Sequence, residues 1–111
     1  MSKTETVRAM FESYQKQDRQ AAARLLADEF QFTSPQDDHI DKATFFDVCF
    51  PTAARLASQD LVYVTPTDED DVFVMYDYTL RTGERHRNVE VLTVRDGQIV
   101  ETQVFFGGPV R

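Results

Sequence analysis

The stretch VFVMYDYTLRTGERHRNVEVLTVRDGQIVETQVFF, residues 72–106, holds three runs rich in β-branched and aromatic residues: Val72–Leu80, Arg87–Arg95 and Gln98–Phe106. Such side chains pack well on a pleated surface, so each run reads as a strand. The breaks between them are Thr82-Gly83-Glu84 and Asp96-Gly97. Asp-Gly is the strongest short hairpin signal, because a type I′ turn needs positive φ at both central residues. Just upstream, Leu61–Pro66 has the same composition and is joined through the acidic turn Asp68-Glu69-Asp70-Asp71. Four strands in series predict an antiparallel meander.

Moving toward the N-terminus, the period changes from two to about 3.6. Ser2 and Glu5 have capping-box spacing, and Val7, Met10, Phe11 and Tyr14 recur at i, i+3, i+4 and i+7, which predicts a first helix. Asp18 can cap a second helix whose buried stripe is Ala22, Leu25 and Leu26. Phe30–Ser34 alternates apolar and polar residues and reads as a short strand ended by Pro35. An acidic loop, Gln36-Asp37-Asp38-His39, follows. Asp41 is a cap for a third helix through Phe45, Phe46 and Cys49 that Pro51 stops, with Thr52–Leu56 adding another turn. Helices segregated ahead of a meander give an α+β fold, since no strand alternates with a crossover helix. Val72–Leu80 is apolar on both faces at its start, Val72, Val74 and Tyr76 against Phe73 and Met75. The second face is therefore expected to be covered, by a second copy of the chain.

Composition sets the outer bounds. The 111 residues are 41% hydrophobic and 12% aromatic, with nine Phe and four Tyr. A chain of that length buries roughly 65% of its unfolded surface and needs no disulfide or metal staple. The net charge of −7 repels phosphate backbones and anionic lipid, so neither nucleic acid nor membrane is expected as a partner. The N-terminal MSKTETVRAMFESY has no apolar signal core, and no stretch reaches the ~20 apolar residues that span a bilayer. Together with a lone cysteine, Cys49, set in an apolar run, this predicts a reducing, cytoplasmic setting. Cys49 is expected to be packing, because burial raises a thiol pKa and no basic residue stands beside it.

Three segments carry a family resemblance: AARLLADEFQF (22–32), SPQDDHID (34–41) and VRDGQIVETQVFFGG (94–108). In this order they resemble the SnoaL-like and ketosteroid-isomerase-like branch of the nuclear-transport-factor-2-like superfamily, over nearly the whole chain. The resemblance implies one domain spanning 1–111, with a curved, cone-shaped antiparallel sheet wrapped over the N-terminal helices and enclosing an apolar pocket. It implies little chemistry, because such folds serve isomerases, dehydratases, cyclases, epoxide hydrolases and non-catalytic proteins. Steroid isomerases carry an Asp base immediately before the Pro that ends the first strand, where this chain has Ser34 before Pro35. Their oxyanion-donating tyrosine falls on Met10, with Tyr14 one turn displaced. Steroid isomerisation is therefore not expected.

Two acid–base candidates stand out. His39 beside Asp38, with Asp37 and Asp41 close by, can form an oriented Asp–His dyad; equally, these residues can be turn formers, a helix cap and a solvated histidine. Glu90 shares a strand face with Asn88, Leu92 and Val94. If that face is inward, its carboxyl lies in an apolar cone and its pKa rises; if outward, it is solvated or paired with Arg81 or Arg87. Tyr14, Tyr76 and Tyr78 can point hydroxyls into a cavity or serve as packing, and Phe105 with Phe106 is expected to close the pocket or a dimer. One histidine among flexible carboxylates is no close-spaced metal-ligand set, and His86 falls on a later strand. The sequence has no glycine-rich phosphate loop, CxxC pair, HExxH or GxSxG, so no cofactor is expected. Two functions follow: a cofactor-independent isomerase, dehydratase or cyclase acting on a small apolar carbonyl or hydroxyl compound, with Asp38, His39 or Glu90 moving the proton; or a non-catalytic small-molecule binder or dimeric interaction module.

Overall fold

A computed structural model describes residues 1–110. Helix α1, Lys3–Lys16, begins with the expected capping box: Ser2 Oγ accepts the Glu5 N–H at 3.1 Å and the Glu5 carboxylate accepts the Ser2 N–H at 2.9 Å. Asp18 caps α2, Arg19–Leu25, by accepting the Ala21 N–H at 3.1 Å. Asp41 does the same for α3, Lys42–Val48, through Thr44. A 3₁₀ turn, Phe50–Arg55, follows with Pro51 in its first turn, where a missing N–H costs nothing.

Six strands make one sheet: β1 Leu26–Ser34, β2 Asp37–Asp41, β3 Leu56–Pro66, β4 Asp71–Leu80, β5 Arg85–Arg95 and β6 Gln98–Pro109, in the order β2-β1-β6-β5-β4-β3. The meander β3 to β6 is as the sequence predicts, although β3 begins at Leu56 rather than Leu61. Two assignments near the N-terminus are corrected. Leu26 leaves the second helix with extended backbone, pairs with Ile99 and starts β1 four residues before Phe30. The stretch read as an acidic loop contains β2, which forms a hairpin with β1 through Phe32↔Ile40 and Ser34↔Asp37. The sheet is also not antiparallel throughout, because β1 joins β6 in parallel.

Register shifts between Leu61 and Tyr63, Arg87 and Asn88, and Thr93 and Val94 insert extra residues that bend and twist the strands, curling the sheet around α1. At the second of these Gly107 is obligatory, since a Cβ there would lie 2.5 Å from the Arg87 carbonyl oxygen. The concave face buries Val72, Val74, Leu92 and Ile99 against Val7, Met10 and Phe11 of α1, with Phe30 and the α3 rings closing one side. On the convex face Asp77 is buried but paired: Arg87 donates to it at 2.7 and 3.1 Å and Arg85 approaches to 3.5 Å. The Arg87 hydrogen bonds hold its carboxyl below the usual carboxylate range.

Candidate functional site

The curled sheet and α1 enclose a cavity of about 530 Å³, a size typical of small-molecule sites. Its walls are mainly rings and aliphatic chains, among them Phe11, Phe30, Phe32, Phe45 and Leu92. Strand periodicity decides which groups enter: on β5, Asn88, Glu90 and Leu92 face inward, and on β4 so do Tyr76 and Tyr78. The inward alternative for Glu90 is the one observed.

Glu90 has a short polar network and, among the described residues, no cationic partner. The Tyr76 hydroxyl donates to Glu90 Oε2 at 2.7 Å, and the Asn88 amide donates to the same hydroxyl at 3.2 Å. Asn88 and Tyr76 are both buried, so this chain of donors is fixed by packing. Burial disfavours the charged carboxylate more than the Tyr76 bond favours it, and the Glu90 pKa is pushed up to about 7. Tyr76 is raised too, by burial and then by the charge on Glu90, and so stays a donor. Above it, the Tyr14 hydroxyl bonds Thr52 Oγ1 at 2.7 Å, and burial again raises its pKa. Tyr78 lines the cavity with its ring stacked on His86 at 5.5 Å between centroids.

The other candidates sit elsewhere. Asp38 Oδ1 and His39 Nδ1 do meet, at 2.6 Å, but both side chains are exposed on β2 and neither lines the cavity. Phe105 points out from the convex face, 53% exposed, and Phe106 takes the expected place at the cavity wall. Cys49 is half-buried there, its pKa pushed up to about 12 by burial and then by Asp37, so it is an unreactive thiol. Two residues that sequence reasoning passed over as site residues belong to the lining. Asn88 was on the right face two residues before Glu90. Asp37, read as a neighbour of the Asp38–His39 dyad or as a turn former, accepts from Ser34 Oγ at 2.9 Å and borders the cavity. Among the described residues no cluster of three or more His, Cys, Asp or Glu side chains is placed to hold a metal ion.

A model of the SnoaL-like domain matches residues 7–102. The chain belongs to the SnoaL-like domain family. Solved structures agree on the fold of this SnoaL-like chain. A Kribbella flavida protein is 24% identical with a TM-score of 0.80, covering 92% of this chain and 84% of that one. A second protein from the same organism, provisionally assigned as a ketosteroid isomerase, is 18% identical with a TM-score of 0.78, covering 98% and 80%. A de novo designed protein with a curved β-sheet, only 13% identical, reaches 0.81 over 96% and 88%. Likeness at these identities is likeness of fold, which by itself assigns no chemistry. Comparison with curated proteins gives no match. No helix among the described residues is long and apolar enough to cross a membrane.

Proposed function

We propose that this chain binds a small apolar carbonyl or hydroxyl compound inside the cone and exchanges a proton with it through Glu90, in cofactor-independent acid–base chemistry. The observation that carries this reading is the Glu90 carboxyl, enclosed among rings, hydrogen-bonded to Tyr76 and with its pKa pushed up to about 7. A group that titrates near working pH is protonated often enough to donate and ionised often enough to accept. Tyr76 is the positioning residue, held by Asn88, and Tyr14 and Tyr78 offer the ligand further contacts from the cavity lining. Two fold neighbours point the same way: the provisional ketosteroid isomerase and a Sinorhizobium meliloti protein provisionally assigned as a polyketide cyclase. The Ser34-Pro35 step keeps steroid isomerisation outside the proposal. Carbon-13 NMR of side-chain carboxyls tests it. One resonance should titrate near pH 7 and vanish in Glu90→Gln, and a midpoint near 4.5 would remove the acid–base role.

A second reading, a homodimeric module, is favoured by the convex face. There Tyr63↔Met75↔Val89↔Phe105 form a row across β3, β4, β5 and β6, with Phe73 one pair away. Tyr63, Phe73 and Phe105 are 64%, 45% and 53% exposed, an apolar surface that a second copy would cover. Sedimentation at micromolar concentration should give a dimer, and Phe105→Glu should return a monomer with the cavity intact. A wild-type monomer ends this reading and leaves the Glu90 proposal untouched. The two readings are compatible, since they use opposite faces of one sheet. A cytoplasmic setting accords with the acidic charge and the unreactive thiol.

A further inference from the structure

The cavity has a second polar end, and strand register places it opposite the first. Ser34 pairs with Asp37 across β1 and β2, and Glu90 pairs with Val104 across β5 and β6. The parallel pairing Thr33↔Gln103 sets the next residues, Ser34 and Val104, side by side. Asp37, Ser34, Val104 and Glu90 therefore form one row on the concave face, all four lining the cavity. Three strand spacings, roughly 14 Å along the arc, separate its ends, and less directly across a curled sheet. The ends differ in chemistry. Asn88 donates to the Tyr76 hydroxyl and Tyr76 to one oxygen of Glu90, which leaves the protonated Glu90 carboxyl as the donor this end offers to a carbonyl oxygen. Asp37 has no cationic partner among the described residues; it accepts from the Ser34 hydroxyl, and the Cys49 thiol lies 3.9 Å from the same oxygen. A carboxylate can take several hydrogen bonds and is acceptor-only, so this end is suited to a donor. Beside this row the rings of Phe32, on the neighbouring Ile40↔Phe32↔Thr102 pairing, and Phe45 line the cavity, 5.2 Å apart between centroids.

We infer that the ligand of this cavity is two-ended, a flat apolar body with a carbonyl-type acceptor at Glu90 and a hydrogen-bond donor, O–H or N–H, at Asp37. This deepens the function proposed above and rests on Glu90 being a ligand contact. Asp37 is then a specificity-determining residue, and the ligand length is fixed by the sheet. A para-disubstituted ring with hydrogen bonds of about 2.7 Å at both ends spans roughly 12 Å, which fits the row.

The probes are 4′-hydroxyacetophenone and 4′-methoxyacetophenone, equal in shape near the ring but differing in the donor. Their affinities are measured by NMR titration at pH 6 on the whole chain. Wild type should prefer the hydroxy compound about tenfold, the size of a hydrogen bond to a charged acceptor. Asp37→Ala should bring the ratio near one while leaving the methoxy compound's affinity unchanged, and Asp37→Asn, which keeps the shape, should lower the ratio as well. Glu90→Leu, which keeps the bulk but removes the donor, should weaken both compounds by the same factor. A wild-type ratio of one, a ratio that survives both Asp37 substitutions, or binding of neither compound overturns the inference. If the ratio is one but Glu90→Leu still weakens both probes, the Glu90 contact stands and only the two-ended ligand falls. Indifference of both probes to Glu90→Leu removes the Glu90 contact itself.

Discussion

Glu90→Gln is expected to raise the melting temperature at pH 8 by on the order of 10 °C while leaving it nearly unchanged at pH 5. Burial pushes the carboxyl's pKa up to about 7 in the folded chain against 4.5 for a free glutamate, so between those values the folded state binds the extra proton. Stability then falls as pH rises through that window and levels off above it, the reverse of an ordinary salt-bridged carboxylate. A difference of that size corresponds to roughly 3 kcal/mol, which converts to about 10 °C or somewhat more for a domain of this length. Glutamine cannot ionise, and its amide oxygen can still accept from Tyr76, whose bond to Glu90 is 2.7 Å. The variant thus keeps the low-pH geometry at every pH. Thermal scans of both proteins at pH 5 and pH 8 check this, and an equal change at the two pH values would mean Glu90 titrates as an exposed carboxyl does. A native residue that destabilises its own fold at neutral pH accords with the proton-transfer role proposed above, since activity and stability commonly trade against each other.

That carboxyl was half legible in the sequence. Alternation along a strand sets Glu90 and Asn88 on one face with Leu92 and Val94, but the opposite face, with Val89, Val91 and Thr93, reads as apolar too, and only the fold decides between them. The meander was legible from the same alternation, reinforced by Asp96-Gly97. What sequence could not give was register. Adjacent strand residues face opposite ways, so choosing Asp37 over Asp38, or Phe106 over Phe105, requires the partners Ser34 and Asn88, which lie on other strands. The start of β1 was misread for a different reason. Ala22, Leu25 and Leu26 satisfy helical spacing, yet the second helix ends at Leu25 because Leu26 gains a parallel partner in Ile99, 73 residues away by sequence. Local pattern loses there to a long-range pairing.

The correction at β1 has its own test in Phe30. Between Leu26↔Ile99 and Gln31↔Glu101 the first strand spends five residues where the sixth spends two, so Phe30 sits in an irregular stretch that backbone pairing alone would not hold. Its ring does the holding. It is 1% exposed and packs edge-on against Phe45 at 5.3 Å, and Phe45 in turn touches Phe32, Phe46 and Phe50. Phe30→Ala removes the ring that ties the strand to α3 and joins the vacated volume to the cavity, so the site relaxes little and the cost should be about 3–5 kcal/mol. Against a total stability of roughly 5–15 kcal/mol that is a large share. Phe30→Leu keeps most of the volume and should cost distinctly less. Urea unfolding reads both as a fall in midpoint at unchanged slope. A loss below about 1 kcal/mol for the alanine variant would place Phe30 outside the core and leave that stretch to the small buried Ala27 and the Asp28–Lys42 pair.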